Sequence, residues 1–194
     1  MRDMSSEPAD RAPAPGPIRI VQRFVNTVDL EDGADELADA AGLRRWLAGA
    51  RLLGADARVT AADHARAIGL RGALRDLALA NAGHPGDSDA IATVNAAARR
   101  AELHPMLTGP AAGTLEPAAG GVDGALGRIV AAVHAGVVDG TWARLKACER
   151  DSCRWAFYDA SRNRSGQWCS MAVCGSREKS RRAYRRRRAR QARA

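Results

Sequence analysis

The chain is poor in aromatic residues, lysine and cysteine. Phe, Trp and Tyr make up only 4% of its 194 residues, so the core must be built from Ala, Leu, Val and Ile. Alanine loses no side-chain entropy in a helix, and this composition therefore favours helices. Lysine occurs only at positions 146 and 179, so arginine carries almost all of the positive charge.

Long apolar runs and familiar catalytic motifs are also missing. No window approaches 18 uninterrupted apolar residues, and the N-terminal segment lacks the apolar region of a signal peptide. We therefore expect a cytoplasmic protein that contacts no membrane and in which disulfides are unusual. Neither lysine follows a glycine as in a phosphate-binding loop, and H-E-x-x-H and G-x-S-x-G do not occur. The sequence thus predicts no enzyme.

The chain is expected to contain three segments. Residues 1–17 are rich in proline, alanine and charge and are predicted to be disordered. Residues 18–145 are predicted to form a mainly α-helical domain with one small β-hairpin. Its clearest helix covers 59–81, with Thr60 as N-cap, whereas IRIVQRFVNTVD suits either strand or helix. Residues 146–194 form the third segment.

All four cysteines lie in the third segment, in two matched pairs. Cys148 and Cys153 are separated by four residues, as are Cys169 and Cys174, and fifteen residues lie between the pairs. Two thiolates from each of two tight turns suit one tetrahedral Zn²⁺ in a closed structural site. Two disulfides, a redox pair, an iron–sulfur cluster and free thiols are the alternatives. A fold of this size has too little core to stand alone without a metal.

The residues between the cysteine pairs predict a small ββα-type finger. WAFYD reads as one strand, QWC as the returning strand, and a basic helix follows. Four aromatic residues are expected to form a small core beside the metal: Trp155, Phe157, Tyr158 and Trp168.

Positive charge is concentrated in this last quarter of the chain. Residues 148–194 hold 14 basic and four acidic residues, a net charge of +10, whereas the remaining residues carry −2. Such a cationic end indicates a local contact with a polyanion, and double-stranded DNA is the expected partner. The predicted contact residues are Arg177, Lys179, Arg181, Arg182, Arg185, Arg186 and Arg188.

Three other interpretations of the basic segment are open. It could be a solvated cationic tail. It could belong to an RNA- or ribosome-binding zinc module in which Trp155, Tyr158 or Trp168 stacks on bases. It could also belong to a zinc-stabilised protein-interaction adaptor.

The sequence WCSMAVCGSREKSRRAYRRRR resembles the CGNR zinc finger, with Ser176 in place of the asparagine of the Cys-Gly-Asn-Arg tetrad. The pair Cys148 and Cys153 followed by FYDASRN is similar to the family's first half. RFVNTVD and the order of elements resemble the domain that precedes this finger in stress-induced transcriptional regulators. The resemblance implies a zinc-dependent, DNA-binding transcriptional regulator, with a helical domain that could sense a small-molecule effector. A homodimer and association with the nucleoid are further expectations by analogy. Ser176 is expected to cap the basic helix.

Polar residues in the helical segment give weaker indications of function than those of the last segment. Asn26, Thr27 and Asp29 predict a local cap or turn, with a small-molecule pocket as the alternative. His64 and His134 are expected at core boundaries rather than as ligands.

Overall fold

Helices alternate with two short strand pairs along the part of the chain that is described. The computed structural model describes residues 11–191, apart from the side chains at 182, 186, 187, 189 and 190 of the last helix. The elements are α1 Ile18–Val25, α2 Ala40–Gly49, α3 Ala61–Ala80, α4 Ser88–Arg100, β1 Leu103–Gly109, β2 Ala112–Pro117, α5 Gly121–Asp139, β3 Leu145–Ala147, β4 Ala156–Tyr158 and α6 Ser176–Gln191. The predicted class, mainly α with a hairpin followed by a small finger, is confirmed.

Local capping signals explain where the central helices begin. Thr60 accepts a hydrogen bond from the Asp63 N–H, and the Asp63 carboxylate accepts from the Thr60 N–H, which is a complete capping box. The Asp87 side chain caps α4. The ambiguous first segment is the helix α1, because its buried residues recur at helical spacing, as Ile18, Val21 and Val25 do.

The main core lies where α1, α2, α3 and α5 pack together, and partly buried side chains of α4 pack against it. Its largest fully buried side chains include Phe24, Leu43, Leu47, Leu70, Leu74 and Ile129. Helix α5 is long and apolar enough to cross a membrane, but 56% of it is buried inside the protein, as expected of a core helix.

The strands differ from the sequence prediction in their partners. The first hairpin forms as predicted, with Leu103 opposite Pro117. The second does not, because QWC is not a strand and β4 pairs antiparallel with β3 instead, Leu145 opposite Tyr158. Helix α5 is the last α-helix before β3. That helix ends at Asp139, because Gly140 takes a left-handed conformation at φ 78°.

The N-terminal segment packs against both halves of the molecule where it is described. Ala14 is buried, and its N–H donates to the Gln22 side chain at 2.9 Å. The Arg11 guanidinium lies 4.7 Å from the centre of the Phe157 ring and donates to the Trp168 carbonyl at 2.7 Å. The segment 11–17, part of the stretch predicted to be disordered, therefore contacts the rest of the protein, and residues 1–10 lie outside the described part.

The cysteine-bearing part contributes to the main core through its strand pair. Leu145 of β3 and Ala156 of β4 are fully buried among side chains of the helices. On the other edge of β4, the Asn26 amide donates to the Ala156 carbonyl at 2.8 Å and accepts from the Ala156 N–H at 2.7 Å. The boundary predicted between residues 145 and 146 falls inside β3, so the two parts meet through a packed strand.

Candidate metal centre and basic helix

The first cysteine pair is held by a turn between β3 and β4. Cys148 follows β3 directly, and its N–H donates to the Trp155 carbonyl at 3.0 Å, which extends the strand ladder. The Cys153 N–H donates to the Arg150 carbonyl at 2.9 Å and closes the turn. Arg154 then adopts a left-handed conformation at φ 48°, which reverses the chain into β4.

The second pair is held by a wide, π-helical turn over Met171–Gly175. The Ser170 side chain accepts from the Val173 N–H at 3.3 Å, and the Gly175 N–H donates back to the Ser170 carbonyl at 3.0 Å. Ser170 therefore caps this turn. The predicted cap, Ser176, instead donates its hydroxyl to the Met171 carbonyl at 3.2 Å, so that prediction is wrong.

The four sulfur atoms converge on one point. All four lie within 4.8 Å of one another, and Cys169 Sγ lies 3.6 Å from the Sγ atoms of both Cys153 and Cys174. A zinc ion with Zn–S bonds of 2.3 Å separates its tetrahedral sulfurs by about 3.8 Å. A disulfide would need about 2.05 Å. The spacing thus fits four ligands of one Zn²⁺ and not two disulfides, and the cluster is a site for one zinc ion.

The close approach of the four thiol groups favours a bound cation. Hydrogen bonding with its neighbours lowers the pKa of Cys148, mainly through Cys153, and lowers the pKa of Cys174, mainly through Cys148. Hydrogen bonding with Cys148 is also the main cause that raises the pKa of Cys153 and of Cys169. Four thiolates this close repel one another, and a bound dication stabilises all of them together.

Apolar side chains close the site. All four cysteines are buried, together with Phe157 and Trp168, and Trp155 packs against this cluster. Tyr158 does not join it and packs against the main core instead, which corrects one member of the predicted aromatic group. Four thiolates in a closed apolar shell leave no position for a reacting water, so the metal is structural.

One acidic residue of the helical part links the metal turn to the basic helix. Glu31 accepts from both terminal nitrogens of Arg150 at 3.0 and 3.2 Å and pairs with Arg177 in the first turn of α6. The hydrogen bond from Arg150 is the main cause that lowers the pKa of Glu31, so Glu31 is ionised at neutral pH. Arg150 Nη1 also lies 3.9 Å from Cys174 Sγ. Neither Glu31 nor Arg150 is among the site residues predicted from the sequence.

A buried ion pair fixes the loop between the two cysteine pairs. Lys146 Nζ lies 3.0 Å from Asp159 Oδ2, and both side chains are at least 95% buried. Asp159 also accepts from the Gly166 N–H at 2.7 Å and the Ser161 N–H at 3.1 Å. Burial opposes ionisation, but the hydrogen bonds from Ser161, Lys146 and Gly166 outweigh it and lower the pKa of Asp159. This pair was not predicted, and the one sequence feature that points to it is that Lys146 is one of only two lysines among 30 basic residues.

The predicted contact residues lie on α6, which packs mainly on the turn before it. Arg177, Lys179, Arg181, Arg185 and Arg188 are exposed. At 100° per residue, Arg177, Arg181 and Arg188 share one face, while Lys179, Arg182 and Arg186 occupy the opposite face. The side chains of Arg182 and Arg186 lie outside the described part. Glu178 pairs with Arg181 and Arg185 within the helix.

The polar group near α1 has structural roles. Asn26 binds β4, the Thr27 hydroxyl accepts from Arg71 at 3.1 Å, and Asp29 accepts from the Glu31 N–H at 2.8 Å. His64 Nε2 lies 2.7 Å from the Leu37 carbonyl, a partner for a half-buried histidine.

Comparisons with known families cover most of the chain. Residues 19–143 match the ABATE family, whose description is "Putative stress-induced transcription regulator". Residues 144–188 match the CGNR zinc finger. Neither model describes an enzyme. A search of curated proteins gave no significant match.

Proposed function

This chain belongs to the ABATE family and ends in a CGNR zinc finger, and from that premise we propose that its finger binds double-stranded DNA through α6. The protein would then act as a transcriptional regulator in the cytoplasm, associated with the nucleoid. The observation that carries the proposal is the attachment of an arginine-rich helix to a rigid, four-cysteine metal site.

The finger stabilises a helix that would be unstable on its own. Helix α6 has no apolar face with which to pack, and its positive charges repel one another. The π-helical turn and the Glu31 contact fix its first turn, and Glu178 adds the negative charge that a helix N-terminus favours. Phosphates would neutralise the rest of the helix and release counterions, which is the usual driving force for nucleic-acid binding.

Duplex DNA fits the exposed groups better than single-stranded RNA. The stacking mode needs accessible aromatic faces on the finger. Trp168 is buried, and Trp155 and Tyr158 pack against the two cores, so none of the three rings is freely exposed. Arginine, by contrast, contacts phosphates and can read guanine in the major groove.

The decisive experiment is a salt titration with three changes made together, Arg181→Ala, Arg182→Ala and Arg185→Ala. We expect weaker binding of the zinc-loaded protein to random duplex DNA, measured by fluorescence anisotropy. The slope of log K against log salt should flatten by up to about 2.7, because each lost phosphate contact contributes roughly 0.9. Unchanged affinity and slope would contradict DNA binding by α6.

Two controls identify the cause of any change. Replacing Arg44, Arg58 and Arg99 with alanine removes three exposed positive charges from the helical part and should leave the slope nearly unchanged. Replacing Arg181, Arg182 and Arg185 with lysine keeps the charge. If the lysine variant keeps the salt slope but shows a reduced preference for a selected DNA sequence, the arginines contact bases through bidentate hydrogen bonds. Stronger binding to total RNA in competition would favour the ribosome or RNA alternative.

The effector and the homodimer predicted from the sequence stay predictions. The DNA experiment tests neither of them.

A further inference from the structure

A small cavity opens between α3, α4 and α5, on the helical part of the molecule. Its volume is about 140 Å³. The walls are mostly apolar or small, and the mouth is charged. The lining residues are Arg66, Gly69, Leu70, Thr93, Ala96, Ala97, Arg100, Asp123 and Leu126. An apolar cavity of similar size in another protein holds a benzene molecule.

The charged groups at the mouth are not equally available. Arg66 is already bound, because its guanidinium pairs with both Asp63 and Asp123. The Thr93 hydroxyl donates to the Asp89 carbonyl at 2.8 Å. Arg100 stands exposed in the last turn of α4, and it has no hydrogen-bond or ion-pair partner among residues 11–191. The Arg100 side chain thus lines the cavity and has donors that no residue among 11–191 uses.

A glycine at the cavity wall gives a second indication. Gly69 lies inside α3, where glycine costs roughly 0.5–1 kcal/mol relative to alanine. Packing does not require it, since a Cβ at this position would meet nothing within 4 Å. Together with Ala96 and Ala97 it keeps the space open that larger residues would fill.

We propose that this cavity binds a small monocarboxylate with a compact apolar body, of the size of benzoate. The ring would enter between Gly69, Leu70 and Leu126, and the carboxylate would accept hydrogen bonds from Arg100. A bidentate guanidinium–carboxylate pair would fix the orientation of the ligand, which contacts with the apolar walls alone do not. The proposal concerns the helical part and does not depend on DNA binding.

Titration of the zinc-loaded full chain with sodium benzoate tests the proposal. Methyl NMR signals of Leu70 and Leu126 report on the cavity itself, which separates it from adventitious binding to the arginine-rich helix. We expect saturable shifts with a Kd of about millimolar, since so small a ligand gains little binding energy. Benzyl alcohol, which keeps the ring without the charge, should bind roughly tenfold more weakly. Acetate should cause no saturable shift.

Neighbouring residues provide matched variants. Arg100→Gln should weaken benzoate binding roughly tenfold, whereas Arg99→Gln, also exposed and outside the lining, should not. Gly69→Leu should abolish binding by filling the cavity. Gly72→Leu should preserve it, because Gly72 is an open position of the same helix that does not line the cavity. Gly69→Ala should raise the melting temperature by about 2–4 °C.

Two results would overturn the proposal. One is the absence of saturable shifts at Leu70 and Leu126 up to tens of millimolar benzoate. The other is equal binding by the Arg100→Gln and Arg99→Gln variants. If Gly69→Leu fails to fold, the arginine pair still decides the outcome, because both changes lie on the surface of α4.

Discussion

At the scale of single residues, Asn26 joins the helical part to the finger with both ends of its amide. It replaces a missing strand neighbour for Ala156, whose N–H and carbonyl are buried. Asn26→Ala should lower the free energy of unfolding by about 2–4 kcal/mol, because it leaves buried backbone groups poorly satisfied. Chemical denaturation measures this. The exposed Asn163→Ala should change stability by no more than about 0.5 kcal/mol, and equal effects would contradict the linking role.

Lys146 and Asp159 are the second residue-scale case. Lys146→Met should destabilise the zinc-loaded protein by about 3–5 kcal/mol, since it leaves the Asp159 carboxylate buried without its cation. Adding Asp159→Asn should recover part of that loss, because the buried charge is then removed. Urea unfolding at neutral pH, followed by tryptophan fluorescence, measures both variants. A double variant as unstable as the single one would show that the loop depends on the hydrogen bonds of Asp159 alone.

At the scale of elements, the turn at residues 29–35 meets the start of α6 through Glu31. This carboxylate holds Arg177 and Arg150 and places a negative charge beside the proposed DNA surface. Under the proposed function, Glu31→Gln should raise DNA affinity about two- to fivefold at low salt, because Arg177 is released for phosphate. Anisotropy measures the change. Asp32→Asn, an exposed neighbour in the same turn, should have little effect. A lower affinity in Glu31→Gln would mean that Glu31 mainly positions the helix.

Most elements follow from local sequence signals, and their partners do not. The Thr60 cap predicted α3, and the sequence also predicted the first hairpin. The strand β3 was missed because three residues carry too little pattern to distinguish a strand from a continuing helix. Its strand conformation depends on pairing with β4 and on burial against the helices.

At the scale of the whole molecule, zinc should stabilise the helical part as well as the finger. The reason is the shared core, in which Leu145 and Ala156 pack among the helices. Removal of zinc by a chelator should lower the melting temperature of the helical signal by about 10 °C or more, measured by circular dichroism. If added zinc restores the melting temperature of the original protein but not that of the Cys174→Ser variant, the four-cysteine site is responsible. An unchanged helical transition would contradict the coupling.

The sequence by itself determined the metal ligands, the class of fold and the place of the charge. Paired cysteines at matched spacing, capping residues and an arginine run are local features, and such features can be recognised directly in the amino-acid sequence. Tertiary structure decided which distant groups meet. Glu31 reaches Arg177 across 146 positions, Asn26 reaches Ala156 across 130, and the cavity beside Arg100 lies between three helices. These contacts depend on how the helices and strands pack against one another, which no local pattern of residues specifies.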